Sequence, residues 1–162
     1  TEKVGLVLLG RSQQYGGNLH GPDGQLLTGS AASDFWAAGL ERTRAALGSV
    51  GAVGVLDDSP WAASDRPDCL SAHPGASSDC GFVSYLSPYE QVLRDGEATA
   101  ASKDRSIVSV NLTTLICPDD VCLAVRPDGT VVFRDQHHMT STFSASLADA
   151  VARELLALLG SR

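Results

Sequence analysis

No stretch of the 162-residue chain carries the roughly 18–20 consecutive apolar residues that a bilayer crossing needs. Basic residues are also scarce. Twelve Lys and Arg stand against 19 Asp and Glu, a net charge of −7, which argues against nucleic acid, whose affinity depends on neutralising phosphates. The four cysteines form no tight two-residue knuckle of the kind that holds zinc. No repeat and no low-complexity tract is present. Thr1-Glu2-Lys3 leads straight into a short apolar run, so no secretory leader is read at this end. The chain reads as soluble, whether whole or a piece of something larger.

What is there suits one folded domain, residues 1–162. Apolar residues make up 43% and charged residues 19%, an ordinary balance for a packed globule, and the length is enough to bury a core without staples. The cysteines fall as two local pairs across turn-like sequence, Cys69 with Cys80 and Cys117 with Cys122. Two short disulfide loops are the better reading, with free thiols the alternative. Disulfides would place the domain outside the cytoplasm.

The run from Val4 to Leu9 has the length and flanks of a strand buried on both faces. A helix is expected from about Asp34 to Leu47, capped by Ser33 and ended by Gly48. Ala52–Leu56 reads as the next strand, followed by a long loop over roughly 57–83. Ser87 and Glu90 are spaced as a capping box with Pro88 at the first helical position. Ser106–Val110 reads as a third buried strand. Val131–Phe133 follows a turn as a short last strand, and a final helix is expected from about Thr142 to Leu159. Strands alternating with helices indicate an α/β layer with a mostly parallel sheet, whose site gathers at the carboxyl ends of the strands. Gly10-Arg11-Ser12, Asp57-Asp58-Ser59 and Asn111 lie at such ends. His20 and His73 read as solvated loop residues. Trp36 and Trp61 read as packing residues, Trp61 being the better placed of the two for a carbohydrate.

Asp135 and His138 are the chemically suggestive pair. A carboxylate that fixes the tautomer of a histidine and stabilises its imidazolium makes a general base near neutral pH, and three residues of separation put both on one turn of chain. The spacing alone is common, and a surface turn with two solvated histidines explains it too. His137 competes for the role by composition.

Phe133-Arg134-Asp135-Gln136-His137-His138-Met139-Thr140, followed at once by a helix, resembles the closing block of the SGNH hydrolase superfamily. More narrowly, it is similar to the SGNH domain at the C-terminus of bacterial acyltransferase-3 membrane proteins. Leu9-Gly10-Arg11-Ser12 with Tyr15 resembles the end of that family's middle strand. Val53–Pro60 resembles the next strand and its proline. Pro67-Asp68-Cys69-Leu70 with Cys80, and Leu115-Ile116-Cys117-Pro118 with Cys122, resemble its two cysteine segments.

The resemblance implies a flavodoxin-like three-layer sandwich. It also implies an extracytoplasmic O-acyltransferase or O-acylesterase acting on envelope carbohydrate, in which Asp135 orients His138 and His138 activates a serine. The family's Gly-Asp-Ser block is missing, so the sheet would lack its first two strands and the serine would come from an N-terminal segment or fragment. Ser12 and Ser59, each ending a strand, are weak substitutes for that nucleophile and better read as lining the site. Arg11 is expected either to help stabilise an oxyanion or to pair structurally. A carbohydrate acceptor, an acyl donor and a tethering membrane acyltransferase domain are the implied partners, with no metal or organic cofactor. The competing expectation is a degenerate, non-catalytic module that binds glycan or a partner.

Overall fold

A computed structural model describes residues 4–160. In chain order its main elements are β1 (Leu6–Gly10), α1 (Gly29–Ala46), β2 (Ala52–Leu56), α2 (Arg66–Ala72), β3 (Phe82–Val83) and α3 (Pro88–Lys103). They continue with β4 (Ile107–Val110), α4 (Thr113–Ile116), β5 (Val121–Cys122), α5 (Ser141–Ser146) and α6 (Ala148–Gly160). The chain divides into two compact units, and each takes two separate stretches of sequence. The first uses the chain through Asp58 and Leu86–Asn111; the second uses Ser59–Tyr85 and the chain from Leu112 onward.

The first unit is a parallel sheet ordered β1-β2-β4, with α1 and α3 as its crossovers. Val55, Ile107 and Leu9 pack with Ala37 and Leu40 of α1 and Ala100 of α3, so both helices cover the same face. On the opposite face Gly54 leaves room for its neighbours' side chains: an added Cβ would stand 2.7 Å from Leu8 Cδ2 and 3.3 Å from Val110 Cγ2. β1 pairs with β2 alone among the described residues. It is an edge strand with Leu8 43% exposed, not the strand buried on both faces that its apolar run predicts. β2, flanked on both sides, is the buried one.

The helix boundaries correct two expectations. α1 starts at Gly29 with Thr28 before it, five residues earlier than the pattern suggests. Ser33 is therefore inside the helix, and its Oγ donates to Gly29 O rather than capping. At α3, Ser87 Oγ accepts from Glu90 N at 3.1 Å as a cap should. The Glu90 side chain does not complete the box, because it turns to two arginines.

The second unit is loop-rich and carries both disulfides, Cys69–Cys80 and Cys117–Cys122. The loop predicted over 57–83 contains α2 and the short β3, which pairs antiparallel with β5. A core of Ile116, Cys117, Cys122, Val132, Phe133 and Phe143 holds the unit together. Arg66 is buried inside it, donating to Cys80 O at 2.9 Å and to Ser64. Val131–Phe133 is not a strand of the parallel sheet. It makes two isolated antiparallel bridges, Val125↔Val131 and Phe133↔Met139. The final helix is two, since Leu147 interrupts it between α5 and α6.

Candidate functional site

The Phe133↔Met139 bridge and a hydrogen bond from Arg134 N to His138 O, 2.9 Å, close the 134–138 segment into a tight turn. Its backbone aims two N–H groups at one carboxylate. His137 N and His138 N donate to Asp135 Oδ1 at 3.0 and 2.7 Å. The other oxygen, Oδ2, lies 2.8 Å from His138 Nδ1. Desolvation pushes the Asp135 carboxyl up, but these hydrogen bonds and the neighbouring imidazole outweigh it and hold the group well below the usual carboxylate range. An ionised carboxylate only accepts, so Nδ1 carries a proton, which in the neutral ring leaves the lone pair on Nε2. Asp135 bonds His138 and not the neighbouring ring, since His137 Nδ1 lies 3.9 Å from the carboxylate.

His137 has another place in the structure. Its ring stacks on Trp61, with centroids 3.9 Å apart and an interplanar angle of 18°, and meets His138 in a tilted contact at 4.0 Å and 37°. Ser59 Oγ donates to His137 O at 2.5 Å. Ala62 N donates to Gln136 O at 2.9 Å.

In the first unit, the carboxyl ends of β1 and β2 meet over α3. Arg11 is buried at 7% exposure and distributes its guanidinium over three acids. Nη2 lies 2.8 Å from Asp57, Nη1 2.5 Å from Glu90 and Nε 2.6 Å from Glu97. Arg94 adds a second cation, 2.8 Å from Asp57 and 2.9 Å from Glu90. Ser109 Oγ closes the cluster on Glu97 at 2.8 Å. Arg11 therefore makes the structural pairing that is one of the two roles expected for it. Ser12 Oγ donates to Asp58 at 3.2 Å and accepts from Gln14 N, capping a short 3-10 turn.

The sequence model of the family described as "SGNH domain (fused to AT3 domains)" matches residues 3–153. The chain belongs to that family. Among solved structures, the periplasmic domain of a lipopolysaccharide acetyltransferase from Salmonella Paratyphi A shares the fold, with TM-score 0.53 at 14% identity over 93% of this chain. The chain spans 56% of that structure's length. No curated protein matches.

Among the described residues of this SGNH domain, two clusters have the composition of a metal site. Cys69, His73 and Cys80 form one, but both cysteines are in a disulfide, which removes the thiolates a metal would bind. Asp135, His137 and His138 form the other, with one ligand atom from each within 4.8 Å of the others. The 2.8 Å contact there is the length of a charge-assisted hydrogen bond, the arrangement a general base needs. Among the described residues no helix is long and apolar enough to cross a membrane.

The sequence reading missed the acids of α3. Glu90, Arg94 and Glu97 recur at helical spacing among Leu93 and Ala100, which are fully buried. Charges on the buried stripe of a helix are the signal that could have exposed the cluster, because such charges need partners.

Proposed function

We propose that this SGNH domain is the acid–base part of an extracytoplasmic O-acyltransferase or O-acylesterase that acts on envelope carbohydrate. The observation that carries the reading is the Asp135–His138 hydrogen bond on a carboxylate held ionised by two backbone N–H groups. His138 Nε2 takes the proton of a serine as its oxygen attacks the acyl carbonyl. Asp135 stabilises the imidazolium, which then returns the proton to the leaving group. In the second half, His138 activates a sugar hydroxyl or water against the acyl-enzyme. This chemistry needs no metal or organic cofactor.

The serine is supplied from outside residues 1–162, by a segment that adds strands to β1. The unpaired edge of β1 supports this, as does the setting of the two local candidates, Ser12 capping a turn and Ser59 held to His137 O. Acyl donor and tether come from a membrane acyltransferase domain in the parent protein. That arrangement agrees with the family's fusion to AT3 domains and with two disulfides, which persist outside the cytoplasm.

The test is turnover of p-nitrophenyl acetate by the full-length protein. His138→Ala is expected to abolish it. Unchanged turnover would reject the assignment, and a wild-type protein that binds glycan without any turnover would favour the non-catalytic module.

A further inference from the structure

His138 is half exposed, with 53% of its side chain open to solvent, and a single side-chain hydrogen bond leaves an exposed ring free to swing. The loop that bears Trp61 supplies what that hydrogen bond lacks: Trp61 stacks on His137, and the His137 ring lies tilted against His138, so three rings are in contact in series. The same loop grips the backbone on either side of the stack, through Ser59 Oγ to His137 O and Ala62 N to Gln136 O. Two backbone grips fix where the turn sits; the rings fix the plane of the imidazole.

We propose that Trp61 and His137 are positioning residues for His138, a clamp that keeps Nδ1 on Asp135 and Nε2 presented to the reacting hydroxyl. This rests on the assignment of His138 as the base. Neither residue touches substrate or exchanges a proton in the reaction. Their work is to narrow the orientations of an exposed base, and general bases lose rate steeply when misplaced. Trp61 thereby has a role that neither simple packing nor sugar binding describes. It also explains the doubled histidine of the block: one imidazole acts, and its neighbour is the flat surface it leans on.

The experiment reads the His138 ring directly, by nitrogen-15 NMR of the isotopically labelled chain. The wild type is expected to show one His138 tautomer, protonated at Nδ1, with a proton protected from exchange. Trp61→Ala should speed that exchange about tenfold or more and admit the second tautomer, and Trp61→Phe should restore the wild-type signal. His137→Leu keeps the backbone grips but removes a stacking ring, so it should behave as Trp61→Ala does. If Trp61→Ala does not fold, as judged by its melting transition, His137→Leu decides. A folded His137→Leu or Trp61→Ala chain with wild-type tautomer and exchange would overturn the clamp.

In the full-length protein, Trp61→Ala should lower kcat about tenfold or more with KM within about twofold, and Trp61→Phe should recover most of the loss. Turnover that survived His138→Ala would sink the base assignment, yet the Nδ1 proton would still report on the stack. The two failures are therefore separable.

Discussion

Asp57 shows how a single side chain can set the pH response of the sheet end. Three carboxylates, Asp57, Glu90 and Glu97, share two guanidinium groups, Arg11 and Arg94, which leaves one negative charge in excess. Burial pushes the Asp57 carboxyl up to about 6, with Arg11 and Arg94 opposing and the two glutamates reinforcing. Glu90 goes the other way, because its bonds to Arg11 and Arg94 outweigh its desolvation. A folded value above the unfolded one means that the native state holds the proton more tightly. Asp57 therefore contributes stability below its unfolded value near 3.8, and that contribution is lost as pH rises through about 6. The loss is on the order of 3 kcal/mol. Urea unfolding at pH 4, 5, 6 and 7 should show this decline in the wild type and a flatter profile in Asp57→Asn. At the site, Asp135→Asn keeps an acceptor for the two backbone N–H groups but loses the charge that stabilises the imidazolium. In the full-length protein it should lower kcat by roughly 10²–10⁴-fold while the melting temperature changes little.

At the scale of elements, α1 and α3 are locked together at one glycine. A Cβ on Gly96 of α3 would stand 2.5 Å from Ser33 O and 3.0 Å from Trp36 Cδ1, both on α1. Backbone cannot give way there as a side-chain tip can. Gly96→Ala should destabilise the chain by about 1–3 kcal/mol, read from the urea midpoint at unchanged slope.

The elements were also where the sequence was most legible. β2, β4 and α3 fall almost where their apolar runs and the Ser87-Pro88 start predict, because each is flanked or packed on the side that its pattern marks. The misses have physical causes. The first turn of α1, Gly29 to Ser33, carries only small side chains, and its one core residue is Ala32, too weak a mark to extend the apolar stripe, so Ser33 was taken for the cap. Glu90 fits a capping box by spacing, yet a buried arginine outbids the Ser87 N–H for its carboxylate. Val131–Phe133 has strand composition but pairs across a turn rather than into the sheet. At the site, the Asp135–His138 contact was legible because it is local. The Trp61 stack and the Arg11 cluster were not, since both join residues far apart in sequence.

For the molecule as a whole, the open edge of β1 is the main liability. A strand paired on one side only among the described residues, with Leu8 43% exposed and Val4 just before it 55% exposed, offers backbone and apolar surface to another copy. The isolated chain is expected to self-associate as its concentration rises, measured by light scattering behind a sizing column. Leu8→Lys should suppress that association without lowering the melting temperature by more than a few degrees.

The chain's two-unit division also has a consequence for how the molecule is made. It leaves the first unit after Asp58, returns at Leu86 and leaves again after Asn111. A ribosome must therefore deliver β4 before the sheet can close, long after β1 and β2 have emerged. Each departure carries its own covalent tie, Cys69–Cys80 in the first and Cys117–Cys122 in the second. Both ties join cysteines no more than 11 positions apart, so each can form from a nascent chain that has not yet met its distant partners. A reducing compartment would take away those early fixed points and leave the sheet waiting for β4 with two unanchored loops beside it.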